Sequence, residues 1–245
     1  MSQASSCDIA LQGVSKAFDG RKVLDNVSFE IPAGEALCLM GRSGTGKSVT
    51  LKLMIGLMRP DQGSISIEKQ NIVVMDEDGL SAVRRKIGFL FQSAALFDFF
   101  SLYENLAVPL TRFSKKSKKE IEEVVQTQLD AVGLGDARNK MPAELSGGMR
   151  KRAGLARALV LDPSILLADE PASGLDRVTA SEIDDLLLGL KGKVTMVIVT
   201  HDLREARRIG DRLAVLDKGR LLAIGTAQEL DKHEDHLVRS LVSER

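Results

Sequence analysis

Apolar positions recur with two different periods along the chain. Residues 27–31 alternate apolar with polar and run into the turn Pro32-Ala33-Gly34, whereas residues 36–40 are continuously apolar. The first pattern predicts an edge strand with one wet face, and the second a strand buried on both faces. Residues 64–67, 87–91, 165–168, 194–200 and 213–216 are further short runs with strand character, most of them separated by segments of helical spacing. That alternation predicts an α/β domain with a largely parallel sheet. Residues 101–161 carry helical patterns instead. Ser117-Lys118-Lys119-Glu120 is a capping box, followed by Ile121, Val124, Val125, Leu129 and Val132 at helical spacing and stopped by Gly133. We expect an all-helical insertion at 101–161 within a single domain spanning 9–241. Farther on, Asp217-Lys218-Gly219-Arg220 joins two apolar runs closely enough to form a hairpin.

Composition narrows the function classes. With 245 residues, the chain has room for one large domain or one domain carrying an insertion. Lys plus Arg and Asp plus Glu are both 34, so the global basic field that general nucleic-acid binders use is absent, and no nucleic-acid partner is expected. The longest stretch without a charged side chain is residues 87–97, eleven positions; a membrane span needs about 18. The first eleven residues lack the basic and apolar regions of a secretory signal, so the expected compartment is the cytosol. Cys7 and Cys38 give no disulfide framework and no metal spacing.

Chemistry enters with Gly41-Arg42-Ser43-Gly44-Thr45-Gly46-Lys47-Ser48, which fits G-x-x-x-x-G-K-[ST]. It follows the strand expected at 36–40 and precedes a helical run, the context a phosphate loop needs. The glycines let backbone N–H groups converge on phosphate oxygens, Lys47 reaches the β and γ phosphates as a point charge, and the Ser48 hydroxyl ligates magnesium. An ordinary glycine-rich turn would not need Lys47 and Ser48 at those places. Residues 164–170 form an apolar strand ending in Asp169 and Glu170. Adjacent carboxylates at a strand end face different ways, so Asp169 can hold the magnesium shell while Glu170 accepts a proton from the attacking water.

A second anion site is suggested by Leu145-Ser146-Gly147-Gly148-Met149. The helix that follows has Met149, Ala153, Ala156 and Val160 on one face, with Arg150, Lys151, Arg152 and Arg157 largely elsewhere. Ser146 at the N-cap leaves free N–H groups and the positive end of the helix dipole pointing outward. Alone, Ser-Gly-Gly would read as a capped helix start. Two phosphate sites in a chain with one phosphate loop need a further explanation.

The phosphate loop, Gln92, residues 145–149, Asp169-Glu170, Ser173-Gly174-Leu175-Asp176 and His201 resemble, in order and spacing, the motif set of the ATP-binding-cassette ATPases. The resemblance runs from about Ile9 to Leu230. It implies a P-loop NTPase fold with a RecA-like, mostly parallel sheet core, an antiparallel β subdomain and a helical insertion. It implies ATP and Mg2+ as ligands, and a homodimer in which Ser146, Gly147 and Gly148 of one copy close on ATP held by the loop of the other. That would account for both anion sites. The resemblance further implies that Phe18 stacks on adenine and that the Val49 backbone N–H meets the α phosphate. Gln92 would contact magnesium and the attacking water, His201 the γ phosphate, and Asp176 would communicate across the dimer. The catalytic set is then Lys47, Gln92, Glu170 and His201, with Ser48, Gln92 and Asp169 as metal ligands. Three positions depart from the pattern: Met149 where Gln is usual, Val49 where Thr is frequent, and Arg177 where Pro is common.

Six of the nine aromatic residues, Phe89, Phe91, Phe97, Phe99, Phe100 and Tyr103, fall within fifteen positions around Gln92. Part of this cluster should be core and the rest an apolar groove, which in this family receives a helix of a transmembrane permease. The wording of residues 91–98, 104–110 and 145–152 is similar to the Mla-type ATPases of Mce-linked lipid transporters. That likeness implies a permease, a periplasmic Mce-domain lipid-binding protein, a hydrophobic cargo such as phospholipid, and a place on the cytoplasmic face of the inner membrane. The rivals are the ATPase of another importer or exporter, and a soluble ABC ATPase of DNA repair or translation. The latter usually carries a coiled-coil insertion or two cassettes, which this chain lacks. Basic clusters at 84–86, 115–119 and 204–208 are expected to be solvated helix faces, with anionic lipid head groups as the alternative.

Overall fold

A computed structural model describes residues 7–243; the first six residues, on which part of the signal-peptide reading rests, lie outside the described residues. The elements in chain order are β1 (Cys7–Phe18), β2 (Arg21–Pro32), β3 (Ala36–Met40), α1 (Lys47–Met54), β4 (Gln62–Ile67), β5 (Gln70–Asn71), α2 (Glu77–Arg84) and β6 (Ile87–Leu90). They continue with α3 (Leu102–Phe113), α4 (Lys118–Ala131), α5 (Gly147–Leu159), β7 (Ile165–Asp169) and α6 (Arg177–Leu188). The last are β8 (Thr195–Val199), α7 (Leu203–Ile209), β9 (Arg212–Asp217), β10 (Arg220–Gly225), α8 (Ala227–Asp231) and α9 (His236–Val242). The chain divides into two compact units, one running up to Arg84 and resuming at Leu190, the other Arg85–Gly189.

The first unit contains an antiparallel sheet in the order β2-β1-β4-β5. As the alternation predicts, β2 is its edge, with Val27, Phe29 and Ile31 buried and Ser28 and Glu30 exposed. Its partner β1 was not visible as a strand in the sequence. Gly13 sits at φ +61°, and the register shifts between Leu11 and Val14, so the apolar alternation is broken where β1 bends. The same unit carries strands in the order β10-β9-β3-β8. β3 runs parallel to both β8 and β9, and all five residues of β3 and of β8 are buried. That is why both read as unbroken apolar runs; each large side chain so buried contributes about 1.5–3 kcal/mol. The expected hairpin is present: Lys218 and Gly219 both have positive φ between antiparallel β9 and β10, as a two-residue turn matching strand twist requires.

In the second unit, β6 and β7 pair in parallel, and the described residues 101–161 form α3, α4, α5 and short 3-10 turns. Ser117 and Glu120 cap α4 reciprocally as predicted, and Ser101 with Glu104 does the same for α3. Leu106, Leu110, Val125, Leu129, Ala153 and Ala156 make a shared core, with Met149 packed against it. Among the described residues no helix is long and apolar enough to cross a membrane.

The basic clusters are only partly solvated faces. Arg84 donates to the carbonyls of Ile55 at 3.1 Å and Gly56 at 2.8 Å, and Arg207 to Asp231 and the Val242 carbonyl. Both are fold-holding cations, because a guanidinium can satisfy several acceptors at once.

Candidate nucleotide site

The phosphate loop is shaped by its own backbone. Gly41, Gly44 and Gly46 have φ of +151°, +77° and +100°, conformations that L side chains rarely adopt. A Cβ on Gly41 would stand 2.2 Å from the Leu216 carbonyl oxygen. Lys47, the first residue of α1, is buried, and its Nζ donates to the carbonyls of Gly41 at 2.8 Å and Arg42 at 3.0 Å. The Thr45 hydroxyl donates to the same Arg42 carbonyl at 2.9 Å. These carbonyls hold the ammonium over the loop. Arg42, Ser43 and Gly44 are exposed, while Ser48 and Val49 are half-buried on the first turn of α1. An exposed glycine-rich turn, a helix N-terminus and Lys47 together suit a polyphosphate.

Phe18 ends β1 in the same unit with 40% of its surface exposed, and Lys16 Nζ stands 5.5 Å from its ring centroid. Core packing therefore does not explain this ring, and its open face suits a base. His201 follows β8 and is exposed. Its neighbours fix the chain there: the Thr200 hydroxyl bonds the buried Glu205, and Asp202 caps α7 by accepting from the Arg204 and Glu205 N–H groups.

The second unit brings Gln92 and Glu170 together. Gln92 Nε2 donates to Glu170 Oε2 at 3.1 Å, across 78 positions of sequence. Asp169 closes the buried strand β7 and is itself buried, whereas Glu170, just beyond it, is half-buried at φ +48°. Lys151 Nζ donates to the Glu170 carbonyl at 2.7 Å and the Ser173 hydroxyl does so at 3.0 Å. Ser146 caps α5 by accepting from Met149 N–H at 3.2 Å and is exposed with Gly147. Gly148 is buried because a Cβ there would meet Thr179 Cγ2 at 2.2 Å. Thr179 in turn donates from its hydroxyl to Asp176 at 2.7 Å. Asp176 also accepts from the Val178 and Thr179 N–H groups, capping α6. These contacts, the Thr179 hydroxyl first, hold its carboxyl below the usual carboxylate range. Asp176 is thus a charged helix cap linked through Thr179 to Gly148, with its acceptor atoms already engaged.

Each unit offers hard oxygen donors of the kind magnesium takes, Ser48 in the first and Asp169 and Gln92 in the second. The departure at Met149 has a packing reason, since its side chain lies against the helical core. The aromatic cluster divides. Phe89 is core, while Phe97 and Phe99 are 43% and 71% exposed and pack edge-on with Phe100. Phe100, Ala107, Val108 and Thr111 line a groove of about 500 Å³ along α3.

A phosphate loop opening a helix after a buried parallel strand, with a strand-end carboxylate pair, defines a nucleoside-triphosphate-binding α/β protein. The family model "ABC transporter" matches residues 24–173. The chain is 43% identical over 239 residues, 97% of its length and 69% of the relative's, to the "Probable ribonucleotide transport ATP-binding protein mkl" of Mycobacterium leprae. It is 36% identical over 244 residues, 99% of its length and 91% of the relative's, to the "Intermembrane phospholipid transport system ATP-binding protein MlaF" of Escherichia coli. Among solved structures, a dimeric post-hydrolysis state of the ATP-binding cassette MJ0796 with ADP and Pi superposes with a TM-score of 0.82 at 34% identity, covering 89% of this chain and 98% of that one. The chain belongs to the ABC transporter family and is an ABC-type ATPase.

Proposed function

We propose that two copies of this chain bind and hydrolyse ATP to drive a Mla-type permease that moves phospholipid or another hydrophobic cargo, on the cytoplasmic face of the inner membrane and with a periplasmic Mce-domain partner. The observation that carries the hydrolytic part is the Gln92–Glu170 hydrogen bond at 3.1 Å in a chain whose phosphate loop holds Lys47 ready. Phe18 stacks on adenine; the loop N–H groups, including that of Val49, and Lys47 hold the phosphates. Ser48, Asp169 and Gln92 hold magnesium, which supplies neutralisation of charge on the phosphate oxygens. Glu170 accepts a proton from the water that Gln92 orients, the water oxygen bonds to the γ phosphorus, and the bond to the β–γ bridging oxygen breaks to release ADP and phosphate. His201 donates to the γ phosphate. The exposed Ser146-Gly147 end of α5 engages the nucleotide of the other copy, and Asp176 keeps that end in place through Thr179 and Gly148.

The lipid part is supported by similarity to MlaF along nearly the whole of both chains, and the α3 groove lined by Phe100, Ala107 and Val108 fits a permease helix. The name of mkl offers ribonucleotide transport as the competing cargo. Purification of the tagged chain from its own membranes in mild detergent, with mass spectrometry of retained proteins and lipids, separates these. The lipid reading expects a permease, an Mce-domain protein and phospholipid. A permease without the Mce protein or lipid would overturn the cargo, and soluble partners alone would overturn transport.

A further inference from the structure

Helix α5 carries two cations that sequence spacing alone placed largely off its apolar face. Lys151 is buried, and Arg157 is half-buried with its guanidinium ionisation pulled down by desolvation. Each donates to main-chain carbonyls on segments that would otherwise be strained. Lys151 Nζ reaches the Glu170 carbonyl at 2.7 Å, and Glu170 has φ +48°. Arg157 Nη1 and Nη2 reach the carbonyls of Ala95 at 2.7 Å and Ala94 at 3.2 Å, and these two alanines have φ of +47° and +61°. Residues with a Cβ enter the left-handed region only where surrounding contacts over-determine them, and such outliers gather at functional sites. The two strained segments are those that carry the paired side chains, Glu170 and Gln92. Between the cations on the helix lies Gly154, where a Cβ would stand 2.9 Å from the Ala94 Cβ and 3.0 Å from Leu90 Cδ1. Its absence lets α5 sit directly on the loop.

We propose that Lys151 and Arg157 are positioning residues for ATP hydrolysis, clamping the backbones behind Glu170 and Gln92 so that carboxylate and amide meet around the attacking water. The inference rests on the hydrolytic reading above and deepens it. Both act through main-chain carbonyls. Their removal leaves the phosphate loop and Phe18 intact, so the effect falls on turnover and not on nucleotide binding. Because α5 opens at Ser146, the element that engages the other copy's nucleotide is the same one that sets this copy's proton acceptor.

The test measures steady-state ATP hydrolysis, binding of a fluorescent ATP analogue and Tm on the full chain, for wild type, Lys151→Met, Lys151→Arg, Arg157→Met, Arg157→Lys and Glu170→Gln. Misplacing a reacting group by about 1 Å costs on the order of 100-fold, so each Met variant is expected to lose about 10–100-fold in kcat with the analogue Kd unchanged. Lys151→Arg keeps a charged donor and recovers turnover; Arg157→Lys reaches one carbonyl in place of two and falls between. Should a Met variant fail to fold, the two conservative variants carry the same ordering. Wild-type kcat in folded Met variants overturns the proposal, as does a joint loss of kcat, binding and Tm that the conservative variants fail to relieve. A wild-type chain that neither binds nor hydrolyses ATP overturns the proposed function itself, whereas an active wild type with an inactive Glu170→Gln and unaffected Met variants overturns this inference alone.

Discussion

The phosphate loop and the Gln92–Glu170 pair both fix polar groups on left-handed backbone, and they do so in opposite ways. In the loop the left-handed positions are Gly41, Gly44 and Gly46, and the cation Lys47 bonds carbonyls five and six residues away. These glycines and contacts lie within eight consecutive residues. At the pair the left-handed positions are Ala94, Ala95 and Glu170, whose Cβ atoms cost about 1–2 kcal/mol each in that conformation. That cost is offset by Lys151 and Arg157, which lie 19 and more than 60 positions away. The loop is therefore a motif set by its local backbone, while the pair is a product of packing on α5. Damage to the loop should abolish nucleotide capture, and damage to α5 should leave capture intact while slowing turnover.

Gly41→Ala should break the loop most severely, because its Cβ would collide with the Leu216 carbonyl. We expect a loss of about 2–4 kcal/mol in stability, with ATP binding abolished in whatever folds, read by urea unfolding and nucleotide titration. Phe18→Ala touches capture more gently. Losing one base–aromatic stack is expected to weaken binding by about 1–3 kcal/mol, visible as a raised Kd with kcat at saturation unchanged. A core role for Phe18 would instead lower Tm and leave Kd alone. Ser117→Ala removes the N-cap of α4 and belongs to neither set of polar groups. It should cost about 1 kcal/mol of stability with both Kd and kcat unaltered, which calibrates how far stability alone moves the kinetics.

The smallest effect is on pH dependence. Asp25 and Asp61 in the first unit, and Glu104, Glu120 and Asp176 in the second, are held below the ordinary carboxylate range by ammonium, hydroxyl and N–H donors. A lowered folded value means their stabilisation is complete above the unfolded value of about 4 and is lost as pH falls through the folded one. Thermal melts should give a flat Tm from neutrality down to about pH 5 and a decline only below about pH 4. Asp176→Asn keeps the capping acceptor and should soften that acid decline slightly.

Much of this contrast was legible in the sequence, and the illegible part has a physical reason. The buried strands β3 and β8, the α4 capping box and the 217–220 hairpin follow from local patterns, because burial on two faces, a reciprocal cap and a two-residue turn each leave their own short signature. The phosphate loop is legible for the same reason. β1 was missed because a bend at Gly13 hides its period. Lys151 and Arg157 were read as lying off the apolar face, which is true, but the residues they bond are carbonyls of distant segments, and carbonyls have no side-chain identity to read. The one local trace was the spacing by three of Lys151, Gly154 and Arg157, a small residue flanked by cations on one helix face. Likewise Met149 announced a departure from the family pattern, and only the packed helical core shows why an apolar side chain fits there.

The most direct test of the account is to add Mg-ATP to Glu170→Gln and follow mass by light scattering while phosphate release is monitored. Loss of the proton acceptor should stop turnover and leave capture whole, so the variant should convert to a stable dimer holding two ATP molecules, and Ser146→Arg placed on the same background should abolish that dimer. A Glu170→Gln protein that hydrolyses ATP at the wild-type rate, or that binds ATP and stays monomeric, would contradict it.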